Sequence, residues 1–291
     1  MSASIIGCGW LGQALAQRLL ASNIDIMASY QSPQTGERLS ALNIPATQLS
    51  LPLVDDVLSI NHLDNTLGVD PRLFQQNVLI IAIPPQLKKG RLDYPLKVQQ
   101  LVHLAELGKT QHIILLNSTA IYNGLVGRVD ETNELDLTAE KVDSLLAAEQ
   151  AVKNFSKRVH ILRLAGLVGP NRHPGKFLQA KRIFENASAA VNLVHQTDVV
   201  NILEKLIHLN SAQSKQNIYN VVSHTDSNRQ RYYQVAAQAL SLPVPKFAVE
   251  QQQNFGKKII GETLRRELSY DYVHDDLLFW LKDVNLVLGN T

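Results

Sequence analysis

The sequence predicts an α/β fold, a doubly wound parallel sheet with a smaller C-terminal lobe. Three observations predict it: a strand–glycine turn–helix opening, a repeated alternation of apolar runs with helical patterns, and strands that are apolar along their whole length. Continuous apolar runs mark strands buried on both faces, as parallel strands are.

The elements follow in order. Ser4-Ile5-Ile6 is a short apolar run that stops at Gly7. Leu11, Leu15, Leu19 and Leu20 then recur at helical spacing. Residues 24–30 read as a second strand, 31–36 as loop and 37–42 as a short helix. Residues 77–83 form an apolar run ended by Pro84-Pro85. An amphipathic helix over 94–108 precedes a strand over 112–116, which runs into Asn117-Ser118-Thr119. Residues 139–155 read as a helix and 159–164 as a strand.

Beyond Gly166 the character changes. Gly169-Pro170-Asn171-Arg172-His173-Pro174-Gly175 is a polar loop. Residues 192–195 read as a short strand, and 198–209 as a helix with Asp198 near its N-cap. A strand over 218–222, a helix over 229–240, a strand over 245–249 and closing helices over 262–268 and 275–282 complete the chain. The expected division is a core of 1–165, with 192–222 returning to it, and a smaller lobe of 166–191 and 223–291.

The opening loop, Gly7-Cys8-Gly9-Trp10-Leu11-Gly12, carries chemistry. The first glycine permits a tight turn, the second lets backbone approach a pyrophosphate, and the third lets helix and strand pack closely. The helix N-terminus behind them offers N–H groups and partial positive charge. Set between a strand and a helix, the motif predicts a Rossmann-type dinucleotide site. Cys8 reads as a small residue tolerated in the loop. At the tip of the second strand stand Tyr30-Gln31-Ser32, with no acid to hold the ribose hydroxyls of NAD. Arg38 is the nearest cation. The cofactor is NADP or NAD, and the acid-free tip favours NADP.

Composition bounds the rest. The 291 residues are 45% hydrophobic and 19% charged, with a net charge of +2, an ordinary globular balance. No clustered basic face suggests a nucleic-acid partner. One cysteine excludes an intrachain disulfide and fits a reducing compartment. No signal peptide and no apolar stretch of about 18 residues is present. A cytoplasmic protein acting on a small molecule, without membrane or metal, as monomer or homodimer, is the expectation.

Four segments together resemble the extended, epimerase/dehydratase branch of the short-chain dehydrogenase/reductase superfamily: the glycine loop, Ser118-Thr119-Ala120-Ile121-Tyr122, the stretch from Leu162 to Pro170, and the stretch from Asn192 to Asp198. The chain is similar in particular to the atypical YeeZ-like subgroup, at Gly9-Trp10-Leu11-Gly12, from Leu162 to Gly175, and at Gly256-Lys257-Lys258-Ile259-Ile260. The resemblance implies that Ala82, Ile83 and Pro84 line the ribose–nicotinamide side. It places Ser118 at the family's catalytic serine and brings Leu164, Ala165 and Gly166 close to the nicotinamide. It turns Arg172, His173 and Asn192 towards the substrate cleft.

The family's Tyr-x-x-x-Lys dyad is where the sequence departs. The corresponding helix contains Ser144-Leu145-Leu146-Ala147-Ala148-Glu149, so Leu145 takes the lysine position and Lys141 the tyrosine position. Leucine can neither lower a neighbour's pKa nor donate to a ribose. Tyr122, four residues after Ser118, either reaches a bound substrate or shapes the cleft wall. Arg172 and His173 either grip an anion and move a proton, or hold a loop. His195 is either a packed, capping-region histidine or a functional one.

Two functions remain in view. One is an NAD(P)-dependent epimerase, dehydratase or reductase acting on a small polar, nucleotide-sugar-like substrate, with Ser118, Tyr122 and His173 as its catalytic candidates. The other is a dinucleotide-binding sensor without turnover. A hydroxy-acid dehydrogenase shares the glycine pattern, but the 118–122 and 162–170 segments count against it.

Overall fold

The computed structural model describes residues 1–53, 57–63, 68–178, 182–209 and 217–282. The last residues of the expected smaller lobe, 283–291, lie outside that set.

Among the described residues the strands are β1 (Ser2–Ile6), β2 (Asp25–Tyr30), β3 (Ala46–Gln48), β4 (Val78–Ile81), β5 (His112–Ser118), β6 (Gly127–Val129), β7 (Arg158–Leu164), β8 (Gly166–Val168), β9 (Ile183–Phe184), β10 (Leu193–His195), β11 (Ile218–Val221), β12 (Lys246–Phe247) and β13 (Lys257–Ile259). The helices are α1 (Trp10–Ala21), α2 (Pro33–Ala41), α3 (Tyr94–Leu107), α4 (Val142–Lys153), α5 (Gln196–His208), α6 (Arg229–Ala239), α7 (Glu262–Leu268) and α8 (Leu277–Lys282).

Seven strands form one parallel sheet in the order β11-β7-β5-β4-β1-β2-β3. The predicted doubly wound α/β architecture is therefore present. Both faces of the sheet are covered, and Ile5, Ile6, Leu79, Ile80, Ile113, Ile114 and Ile161 are wholly buried. From β1 the chain winds outward through α1 to β2, and later through α3 from β4 to β5. Right-handed crossovers running in opposite directions put those helices on opposite faces. α1 packs on α5, and α3 on α4. The strand order reverses between β1 and β4, and the crevice outside their carboxyl ends is where such sheets bind ligands.

Three short parallel pairs lie outside the main sheet: β8 with β10, β6 with β13, and β9 with β12. A second apolar cluster, centred on Trp280 with Tyr232, Ala236, Leu277 and Leu281, packs α6 against α8. α5 begins two residues earlier than the sequence suggests. Its N-cap is His195, whose Nδ1 accepts from the Thr197 N–H, and not Asp198. Asp198 is buried in the first turn instead, accepting from the Tyr270 hydroxyl and the backbone N–H groups of Val273 and His274.

Candidate functional site

The glycine loop bridges β1 and α1 at the reversal of strand order. Gly7 has φ +87°, and a Cβ there would lie 3.0 Å from Ile83 Cγ2 and 3.1 Å from the Ile83 nitrogen. Only glycine combines that backbone with so close an approach of the two strand ends. Its N–H donates to Ser29 Oγ, and the Cys8 N–H to the Ser29 carbonyl, which ties the loop to β2. Gly9 precedes α1, and no side chain caps the helix. A Cβ at Gly9 would meet nothing closer than 4.0 Å. The first-turn N–H groups of an uncapped helix thus face room for an anion. Cys8 is buried, which pushes its thiol pKa up to about 12 and leaves it unreactive.

One cavity of about 260 Å³ joins this loop to the tip of β2. Gly7, Cys8, Gly9, Tyr30, Gln31, Ser32, Ile83 and Pro84 line it, so eight of the residues read from the sequence converge there. Trp10, Leu11 and Gly12 do not line it, although their N–H groups lie in the first turn of α1. Thr35, Leu49, Leu51, Gln86 and Lys97 complete the wall and were missed. Lys97 had a signal: it sits on the buried stripe of α3 with Tyr94, Val98 and Leu101, where a lysine needs a reason. Its Nζ pairs with Asp93 at 2.8 Å. Ser32 caps α2 and shares a hydrogen bond with Thr35, whose hydroxyl accepts from Arg38.

Ser118 and Leu164 are register partners at the carboxyl ends of β5 and β7. Ser118 Oγ accepts from the Ala120 N–H. Ala165 follows, and the Gly166 N–H donates to the Asn192 carbonyl. Ser118, Leu164, Ala165 and Gly166 therefore stand together at the carboxyl ends of β5 and β7.

Two expectations are not met, those for Tyr122 and His173. Tyr122 does not reach the cleft. It is wholly buried, its hydroxyl donates to Asn220 Oδ1 at 2.9 Å and accepts from Arg163 at 2.7 Å. Arg163 is paired in turn with Glu149, which also accepts from Asn117. Burial raises the phenol's pKa further. His173 is packed against Trp280 with its Nδ1 accepting from the Gly175 N–H. Burial holds its pKa at about 4, so it is a neutral loop-capping ring. Asn192 gives its amide to β13, donating to the Lys257 carbonyl and accepting from the Ile259 N–H, and it lines a separate cavity of about 180 Å³ with Arg128, Ser223 and Lys258.

Arg172 is exposed, but its guanidinium lies over the Trp10 and Phe177 rings and donates to the Leu167 carbonyl. Trp10 donates to the Pro170 carbonyl at 2.8 Å. Trp10 is thus the anchor of the polar loop, which explains a large aromatic inside a glycine motif. At the dyad positions, Leu145 is buried and Lys141 pairs with Glu140. No group of three or more His, Cys, Asp or Glu side chains that could hold a metal occurs among the described residues. No described helix is long and apolar enough to cross a membrane.

No family model matches the chain. The protein YeeZ of Escherichia coli strain K12 is 31% identical over 280 residues, covering 94% of this chain and 97% of that protein. The chain belongs to the YeeZ family. Solved structures agree with the fold read for this YeeZ-family chain. A functionally unknown conserved protein from Silicibacter pomeroyi superposes with a TM-score of 0.69 at 19% identity, covering 97% of each chain. UDP-glucuronic acid 4-epimerase from Bacillus cereus, solved with UDP-glucuronic acid and NAD, superposes with a TM-score of 0.71 at 16% identity, again over 97% of each chain. The chain thus shares the fold of these structures, an epimerase among them.

Proposed function

We propose that the protein is an NAD(P)-dependent epimerase, dehydratase or reductase acting on a small polar, nucleotide-sugar-like substrate, and that it works without the Tyr-x-x-x-Lys dyad. One observation carries this reading: a single cavity contains both the close-approach glycine loop with its uncapped helix and the tip of β2. Those residues fit a dinucleotide. The loop backbone and first-turn N–H groups of α1 would hold the pyrophosphate, and Tyr30, Gln31 and Ser32 the adenosine ribose. Ala82, Ile83 and Pro84 would border the second ribose. When bound, the nicotinamide supplies a hydride donor or acceptor. Ser118 orients the substrate oxygen, because its Oγ accepts from Ala120 and keeps its own proton to donate.

The absence of an acid at the tip, with Ser32, Thr35 and Arg38 joined by hydrogen bonds there, supports NADP over NAD. The resemblance to UDP-sugar epimerases supports the substrate class. The division into a core of 1–165 with 192–222, and a smaller lobe, draws support from β11 joining the main sheet and from the separate Trp280 cluster.

Calorimetric titration with NADPH and NADH tests the reading. Micromolar binding of NADPH, with NADH weaker, is expected; no binding of either below millimolar concentration sinks it. The buried Leu145 favours a second reading, a dinucleotide sensor without turnover. That reading requires tight cofactor binding and no reaction with any UDP-sugar.

A further inference from the structure

A lysine to which the sequence assigned no role is hydrogen-bonded to the loop that follows Ser118. Lys257 opens β13, a strand clamped by Asn192, whose own carbonyl accepts from Gly166 at the start of β8. The Lys257 Nζ donates to Asn123 Oδ1 at 2.8 Å. Asn123 follows the Ser118 turn, and its Nδ2 donates to the Glu140 carbonyl at 3.0 Å. Glu140 immediately precedes Lys141, which holds the position of the dyad tyrosine. The amine is thus tied through Asn123 to the loop after β5, whose strand ends at Ser118, and to the segment before α4. Asn123 is the one hydrogen-bond partner of its ammonium among the described residues, which leaves N–H bonds for a ligand.

We propose that the Lys257 amine is the proton-carrying group of this cleft, taking and returning the proton of a substrate hydroxyl in place of the missing tyrosine. The proposal rests on the oxidoreductase reading above. In the oxidising direction the neutral amine accepts the hydroxyl proton and becomes an ammonium, the C–O single bond becomes a carbonyl, and the carbon's hydride leaves to the oxidised nicotinamide. The reverse direction returns both. A proton carrier must exchange near neutrality, and half-burial lowers the Lys257 pKa from its ordinary value to about 8. Burial is the cause, and no charged neighbour contributes. The charged side chains on the adjoining segments are Arg128 on β6, Lys258 on β13, Asp130, Glu131, Glu134 and Asp136 between β6 and α4, and Glu140 with Lys141, which pair with each other.

Two measurements on the full chain test this. The first is competitive labelling with trace acetic anhydride across about pH 6 to 10, read by peptide mass spectrometry, with the exposed Lys258 as internal reference. Lys257 should titrate near 8; a labelling profile that matches that of Lys258 overturns the proposal whatever the activity. The second compares wild type, Lys257→Arg and Lys257→Met in oxidation of UDP-glucose and UDP-glucuronic acid. Both variants should bind NADPH as the wild type does, melt at the same temperature and lose at least about 100-fold in kcat. Wild-type oxidation should rise with pH through about 8. That limb should vanish in Lys257→Arg, whose guanidinium stays protonated. Turnover retained in Lys257→Met removes the proposal alone. No turnover by the wild type removes the oxidoreductase reading and the proposal together.

Discussion

Tyr122 shows how one side chain changes meaning once its partners are known. Its hydroxyl closes a buried chain that runs from Asn117 through Glu149 and Arg163 to Asn220, which also donates to the Ile260 carbonyl. A buried network is costly when one member leaves, because its partners lose solvation without compensation. Tyr122→Phe should therefore destabilise the fold by about 1–3 kcal/mol, read by urea denaturation, while NADPH affinity stays at the wild-type value. A variant as stable as wild type would contradict the network's role. Cys8 and His173 carry the same lesson. Each is a reactive type that burial has made inert.

At the level of elements, the polar loop from Gly169 to Phe177 matters most. It has little regular structure of its own, yet it is fixed to α1 by Trp10. The indole donates to Pro170, its ring lies under Arg172, and a Cβ at Gly169 would come within 3.3 Å of it. α1 thereby links the glycine loop at its start to the polar loop from Gly169 to Phe177. Trp10→Ala should raise amide hydrogen exchange across 169–177 by an order of magnitude or more, with the exchange of β4 and β5 unchanged. Equal exchange in both proteins would show that the loop holds itself. Such loosening should also weaken cofactor binding, because the loop borders the same helix N-terminus.

Over the whole molecule, buried histidines set the response to acid. His112 and His160 share a hydrogen bond of 2.7 Å between β5 and β7, and burial holds them at about 2 and about 4. His173 and His195 stand at about 4 and about 3, against an ordinary 6.5. With folded values below unfolded ones, the unfolded chain binds more protons as pH falls. Stability is complete above about 6.5 and drops as pH is lowered towards the folded values, by about 1 kcal/mol per ring over the first unit. The raised carboxyls of Glu131 and Asp198 work in the opposite direction and offset part of it. Scanning calorimetry should show a melting temperature that falls steadily between about pH 6.5 and 4. A flat profile there would refute this account.

The sequence by itself determined the parallel α/β order, the glycine loop and the strand tip, because these depend on local periodicity and on backbone freedom read a few residues at a time. The five short strands β3, β6, β8, β9 and β13 were not visible. Two or three residues carry no periodic signal, and such strands exist only through partners far along the chain, as Lys257 does beside Gly127. The same limit governed the side chains. Whether Tyr122 and His173 face a cleft or a core depends on what packs against them across the fold, and the tertiary structure decided for the core. It also brought Lys257 beside the Ser118 loop, 134 residues from its partner Asn123. Sequence fixes which groups are present; only the closing of distant segments over the sheet decides which of them keep a free proton.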